Sequence, residues 1–340
     1  MANKRNQPTL PNIEPSVMTL TFQTPVLAAG QQGSNFIDLS QVTSLVNRRF
    51  YRQGLNWAVS GFKFLTAGGE GGIAISKLPN TWTLANAWVK GFENWRERIN
   101  EAFGEGEEES LTKGKFLDFK IYADADHHQA GYVGNLLPLG RTGVPPTPGE
   151  WISSKIRLEN GAGGSVGHEI VAVGPNYPGV SGVTALNAVS LIEGYAASRR
   201  LPEIRDPNTP QDLESTAGTT AENWMRGMHT RGGNNDQLII TEVSGYDLPP
   251  YPFENDGVHN DTMYPGGANQ LPTLDLHESV TYTSSSIGAQ AYGKGGNFPC
   301  GLVRIDHSVG NESISHNIVI QVDLVPGEHR GYLAEPMGDM

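Results

Sequence analysis

Short runs of alternating apolar and polar residues cover much of the chain, and one segment breaks that pattern with a longer period. Leu84, Trp88, Phe92, Trp95 and Ile99 recur at spacings of four, four, three and four, which sets a bulky aromatic stripe along one face of a helix over 84–102. Thr83 is the expected N-cap, and Arg96 and Arg98 sit where positive charge suits the helix C-terminus. Such a stripe needs a broad apolar partner, so the helix is expected to pack on a sheet as core. A second helix is predicted over 38–53, capped by Asp38 or Ser40, with Val42, Leu45, Val46 and Arg49 at helical spacing and Gly54 closing it. A third is predicted over 183–200, through Leu186, Val189, Ile192 and Tyr195.

Strand signals fall at 55–66, 116–122, 151–158, 168–173, 237–243, 271–283, 300–307 and 317–325. In the first of these, Phe62 and Phe64 share one face and Trp57 and Val59 the other, the pattern of a strand covered on both sides. No repeat, dividing linker or βαβ alternation is visible. The expected fold is therefore all-β: a single eight-stranded antiparallel jelly roll, two four-stranded sheets with helices inserted in loops. Residues 1–35, with Pro8, Pro11, Pro15 and Pro25, read as an extended, partly disordered N-terminal arm, and 36–340 as one domain.

The 42 Gly and 22 Pro residues are scattered without period, which excludes collagen and fits many short elements joined by turns. A net charge of −12 argues against a general polyanion binder, but the first sixty residues run the other way. They carry Lys4, Arg5, Arg48, Arg49 and Arg52 against only Glu14 and Asp38. These five cations are the candidate nucleic-acid contacts, weak in one chain and stronger if symmetry multiplies them on one surface. The single cysteine, Cys300, allows no intramolecular disulfide and no thiolate metal cluster. The N-terminus lacks a signal-like apolar stretch and no run is long enough to span a membrane, so a soluble chain without a membrane partner is expected.

Asp124, Asp126, His127 and His128 form the one metal-like cluster, with calcium bridging subunits through Asp124 and Asp126 as its most reasonable use; otherwise no cofactor is expected. Asn160 to Glu169 lacks the Lys and Ser/Thr of a phosphate loop and reads as an inter-strand turn. Asp306 and His307 suggest two triad members, but neighbours on a strand point to opposite faces and no nucleophile elbow exists. The proline-rich segments at 247–253 and 264–267 read as structural loops. No complete catalytic constellation emerges, and a non-enzymatic role is expected.

Taken together, SNFIDLSQVTSLVNRRFYRQG at 34–54, GFKFL at 61–65, LPNTWTLANAWVKGF at 78–92, GAGGSVGHE at 161–169 and FPCGLVRID at 298–306 resemble capsid proteins of circular Rep-encoding single-stranded DNA viruses of the marine, environmental type. That resemblance implies a jelly-roll subunit, many copies of which self-assemble inside a host cell into the icosahedral shell of a virion around circular single-stranded DNA. The chain departs from many members of that group in lacking a long Arg/Lys-rich tail, which leaves genome contact to Arg48, Arg49 and Arg52, to bound cations or to a second viral component, or else a shell that assembles without nucleic acid. Two other classes compete: a carbohydrate-binding β-sandwich presenting exposed Trp and Tyr, and a metal-dependent hydrolase centred on Asp124, Asp126, His127 and His128.

Overall fold

The computed structural model describes residues 16–66, 69–103, 117–140, 142–159, 165–178, 187–199, 273–285, 289–311 and 313–340. In chain order the elements begin with β1 (Thr19–Gln23), β2 (Gln32–Asp38), α1 (Leu39–Asn47), β3 (Leu55–Leu65), β4 (Gly71–Lys77), α2 (Trp82–Phe103) and α3 (Ala125–Ala130). There follow β5 (Lys155–Glu159), β6 (Ser165–Val171), β7 (Tyr177–Pro178), β8 (Asn187–Ser190) and α4 (Leu191–Arg199). The chain ends with β9 (Asp275–Tyr282), β10 (Gln290–Phe298), β11 (Leu302–Val309), β12 (Val319–Leu324), β13 (Pro326–Gly327), β14 (Gly331–Tyr332) and β15 (Ala334–Pro336).

Two antiparallel sheets enclose the main core. One has the order β1-β12-β3-β10, with β15 also pairing β3, and the other the order β2-β11-β4-β9. Each sheet offers its buried residues to a single cluster: Phe22, Phe62, Phe64, Ile320 and Val322 from one side, Ile37, Ile73, Ile75, Val303 and Ile305 from the other. Strict alternation on β12 produces this, since Ile320, Val322 and Leu324 are buried between half-buried neighbours. The molecule is thus an all-β sandwich.

Residues 16–35 depart from the expected arm. Leu20 and Phe22 alternate inward from β1, which pairs with β12, and Gln32 already belongs to β2. Residues 1–15, with Lys4 and Arg5, lie outside the described residues. Trp57 and Val59 also depart from expectation by sharing the core of Phe62 and Phe64. Opposite β12, Gly61 pairs Asp323 while Val59 pairs Leu324, leaving Ser60 as an extra residue. This bulge shifts the alternation by one and brings both pairs to the same face.

The connections β1–β2, β3–β4, β9–β10 and β11–β12 are short and meet at one end. Leu27 bridges His316, Gly310 N–H donates to Glu70 O at 2.9 Å, and Thr66 N–H donates to Ala289 O at 2.9 Å. The other end carries the elaboration, formed by the described residues between β4 and β9. Here the antiparallel pairs β5–β6 and β7–β8 join through a parallel β6–β8 pairing into a third sheet, with α2 and α4 beside it. Leu84 and Trp95 of α2 are buried in a second core with Phe119, Ile121, Ile170, Ala172 and Ile192, and Trp88, Phe92 and Ile99 pack half-buried against it. The aromatic stripe does cover apolar surface as expected. Thr81 rather than Thr83 precedes the helix, its Oγ1 accepting from Leu84 N at 3.4 Å.

Two helix boundaries differ from expectation. Asp38 caps α1 by accepting from Ser40 N at 2.9 Å and Gln41 N at 3.2 Å, but the helix closes at Arg48 rather than Gly54. Arg48 takes the left-handed conformation (φ 55°), and Tyr51 then turns fully into the core. Arg49 and Arg52 therefore follow the helix instead of lining it. Because a left-handed β-carbon is strained, Arg48→Gly is expected to raise unfolding stability by about 0.5–1 kcal/mol, measured by urea denaturation. Within the predicted helix at 183–200, the described residues form β8, whose Ala188 pairs Glu169 of β6, and turn helical at Leu191. The expected strand at 116–122 contributes only a parallel bridge from Tyr122 to Val171, and the expected strand at 237–243 lies outside the described residues.

Candidate functional site

The acidic and histidine residues at 124–128 stand at the junction between sandwich and insertion. Asp124 caps α3 by accepting from His127 N at 2.8 Å. Its other oxygen meets Arg304 of β11, whose Nη1 donates at 2.7 Å to both Asp124 Oδ2 and Asp126 Oδ2. Arg304 Nε forks onto Asp306 at 3.0 and 3.1 Å, and Nη2 donates to Ser34 Oγ at 3.2 Å. One guanidinium thus occupies the centre of three carboxylates. Burial raises the Asp124 carboxyl above its ordinary range, against the hydrogen bonds from His127 N and Arg304 that favour its charge. Burial would lower the Arg304 pKa, yet Asp306, Asp126 and Asp124 together push it up.

The two histidines diverge from those carboxylates. His127 is fully buried; its Nδ1 accepts from Ala123 N at 3.0 Å and its Nε2 donates to Asn135 Oδ1 at 2.9 Å. Its ring stacks on Phe36 with centroids 4.5 Å apart, and Arg304 lies over the same phenyl at 5.6 Å. Burial lowers the His127 pKa to about 3, so the ring is neutral. His128 Nε2 instead lies 2.7 Å from Glu169 Oε2. Among the described residues no group of three or more His, Cys, Asp and Glu side chains is arranged to hold a metal ion. Both side-chain nitrogens of His127 are already engaged and Arg304 fills the acidic centre, so these four residues do not fit a shared metal site.

Removing the guanidinium leaves three carboxylates facing one another. Arg304→Met is expected to cost about 2 kcal/mol at neutral pH, a value held below that of a fully buried pair because Asp126 and Asp306 remain partly exposed. Millimolar calcium should restore part of this loss, since the oxygens then face a hole of cation size. Melting curves with calcium and with chelator would check it, and an equal calcium shift in the unsubstituted protein would contradict it.

A buried polar network ties this junction together. Gln53 Nε2 donates to Asp38 Oδ2 at 3.0 Å and to Ile121 O at 3.1 Å, while Gln53 Oε1 accepts from Ile121 N at 2.6 Å. Trp151 Nε1 donates to Asp38 Oδ2 at 3.0 Å, and Asn135 Nδ2 donates to Gln41 Oε1 at 3.0 Å. Asp38 has no cation in this network; burial pushes its pKa up to about 6, against the donors Gln41 N, Gln53 and Trp151.

The predicted basic residues lead to a second feature. Arg48 is exposed beyond α1, whereas Arg52 lines an open cleft of about 240 Å³ between the start of β3, α2 and the C-terminal turn. Phe50, Trp88, Phe92 and Phe119 form its aromatic wall, with His329 and Arg330 at the turn. Trp88 and Phe92 stack at 5.1 Å, and Trp88 meets Phe119 edge-on at 5.9 Å. Gly54 is required for this wall, because a β-carbon there would lie 2.3 Å from the Trp88 ring. Arg52 Nε donates to Leu117 O at 3.3 Å, and Arg330 Nη1 donates to Phe50 O. Lys120 lies 5.8 Å over the Phe50 ring. One carboxylate, Asp118, enters the lining; burial raises its pKa, and Lys120 at 3.5 Å opposes that. Burial, then Arg330 and Arg52, lower the pKa of His329, which keeps its ring neutral.

Arg52 was therefore legible as a candidate, but Lys120, His329 and Arg330 were not, since the chain separates them widely and each is locally unremarked. Arg304 did carry a local signal: Arg304 and Asp306 are two apart on a strand and share a face. Asp306 and His307 do point to opposite faces, Asp306 toward Arg304 and His307 into the sandwich. Among the described residues no helix is long and apolar enough to cross a membrane. Fold and site together define the chain as an all-β sandwich protein with a helix-bearing insertion, an arginine-centred acidic cluster and a cationic aromatic cleft. No protein-family model, curated protein or solved structure matches this chain.

Proposed function

We propose that this chain is a jelly-roll capsid subunit that self-assembles in many copies into the icosahedral shell of a circular single-stranded DNA virus. The observation that carries the reading is strand order. Following β1, β2, β3 and β4, the chain alternates between sheets; β4 and β9 are neighbours in one sheet; β9, β10, β11 and β12 then alternate again. Two Greek keys rolled together give that order, and the resulting double-sheet roll is shared by viral capsid and lectin domains. The sequence resemblance to capsid proteins selects between those uses.

Packing supports the same choice. Glycan recognition by aromatic stacking needs exposed rings, and Trp57 and Trp95 are buried in the two cores, which removes them from such a platform. A hydrolase centred on Asp124 would need its carboxylates for a metal, and Arg304 holds them. A shell subunit needs lateral surfaces of fixed shape, and the buried network through Gln53 fastens the described part of the insertion to the sandwich.

Negative-stain electron microscopy of the purified protein, with absorbance at 260 and 280 nm on the same fraction, tests the reading. Regular closed particles are expected. A uniform monomer or dimer across salt, pH and calcium would overturn it.

A further inference from the structure

The cleft at Arg52 combines aromatic surface with two arginines, Arg52 and Arg330, drawn from separated parts of the chain. Phe50, Trp88 and Phe92 are half-buried, so part of each ring remains accessible, while Arg52 and Arg330 are exposed at the same lining. Lys120, behind the lining, lies over Phe50 and 3.5 Å from Asp118, so the one carboxylate at the cleft is paired.

The backbone gives an independent observation. Arg330 has φ 50°, a left-handed conformation that glycine or asparagine would adopt at lower cost. Its carbonyl is held by Ser16 Oγ at 2.9 Å and Tyr51 Oη at 3.1 Å, so the turn is fixed in that conformation. A strained arginine is thus kept where its side chain reaches the rim of the cleft, and strain of this kind points toward function.

We infer that this cleft binds a nucleotide unit, taking the base against Phe50, Trp88 and Phe92 and the phosphate on Arg52 and Arg330. Every base has a π-face, so stacking of this kind is tolerant of sequence, and two guanidinium groups suit phosphate oxygens. The volume, below the ~300 Å³ at which pockets for drug-sized molecules begin, matches one ring system rather than an extended ligand. Two sources supply the same chemistry: a free nucleotide, or one residue of a single strand threaded past the cleft. The inference rests on the shell reading only for its source, because a packaged strand is what a capsid subunit would meet.

Fluorescence anisotropy with labelled (dT)10, and calorimetry with thymidine 5′-monophosphate, test it. One phosphate neutralised on a single strand predicts that log K falls with log salt at a slope of about −0.7, and Arg52→Ala or Arg330→Gly should each make that slope shallower and weaken binding. Arg330→Gly relieves the left-handed strain, so its loss of binding should come without loss of stability. Phe50→Leu should weaken binding about tenfold without changing the slope. Lys294→Ala, which removes an exposed cation outside the cleft, should change neither.

Binding of the monophosphate comparable to that of the oligonucleotide supports the site with a free nucleotide as ligand; binding of the oligonucleotide alone supports it with a strand. Failure of both probes to bind, or unchanged affinity and slope in the Arg52, Arg330 and Phe50 variants, overturns the inference. Micrographs of the same fractions separate the two readings. Closed particles without cleft binding would sink the nucleotide site alone, and cleft binding by a protein that never assembles would sink the shell alone.

Discussion

Gln53→Leu is expected to lower unfolding stability by about 4 kcal/mol, although leucine nearly matches glutamine in volume. The side chain is fully buried and makes four hydrogen bonds that an aliphatic group cannot replace, the longest to Tyr132 Oη at 3.5 Å. Ile121 O keeps Tyr132 Oη as a donor at 2.8 Å, but Ile121 N loses its acceptor in a fully buried position. An orphaned buried donor costs about 1–3 kcal/mol, and a hydrogen bond to a charged group contributes about 1.5–3 kcal/mol. Asp38 loses one such bond and retains Ser40 N, Gln41 N and Trp151 Nε1. Urea denaturation at pH 7 would measure the loss. A change below about 1 kcal/mol would mean the network is not what holds sandwich and insertion together.

Acidification from pH 6.5 to 4 is expected to remove stability through two buried histidines, opposed by the carboxylates of Asp38, Asp118 and Asp124, whose pKa values burial raises. His307 is 1 % exposed inside the sandwich, and burial, then the neighbouring His316, lower its pKa to about 4. His316 hydrogen-bonds Tyr282 Oη at 2.8 Å, its ring 5.9 Å from that of His307, so these are the titratable groups facing it. His127 has its pKa lowered to about 3 and faces His128, Tyr122 and Tyr132. Because unfolding lets both rings protonate near their ordinary pKa of about 6.5, each withdraws stability as pH falls, by about 1.4 kcal/mol per unit.

Asp38 acts in the opposite sense. Its folded pKa of about 6 exceeds the unfolded value, so the folded state gains the proton first and acidification over roughly pH 6 to 4 returns about 3 kcal/mol. His307→Leu isolates one contribution. Among the described residues neither ring nitrogen of His307 has a hydrogen-bond partner, so leucine forfeits none and stability at pH 7 should be retained. The acid loss should largely disappear, since Asp38, Asp118 and Asp124 all oppose the remaining His127 effect. An unchanged pH slope in that variant would remove His307 from the account.

The local sequence carried the α2 stripe faithfully, because Leu84 and Trp95 bury themselves at any helical spacing that offers them a face. It carried β3, β9, β11 and β12 as strands for the same reason. It gave no strand signal at β10, which carries Gly293, Gly295 and Gly296. There the close approach of β3 decides: a β-carbon at Gly295 would stand 2.2 Å from Ser60 O. It also placed strand signals at 151–158 and 168–173 in the main roll, whereas β5 and β6 build the third sheet. Pairing partners are chosen by long-range packing that no local pattern encodes.

By itself, the sequence determined the class of secondary structure, the aromatic helix face, the Asp38 cap and the position of the acidic cluster, since each depends on residues a few places apart. Only the tertiary structure decided what those residues do. Arg304 reaches Asp124 from 180 residues away and turns a metal-like group into an ion-pair cluster. Arg330 reaches Phe50 from 280 residues away and turns a weak basic stretch into a cleft. The Ser60 bulge, absent from any periodicity count, moved Trp57 and Val59 to the core face. Charge and burial are properties of the assembled surroundings, and the chain order that brings those surroundings together is settled by folding.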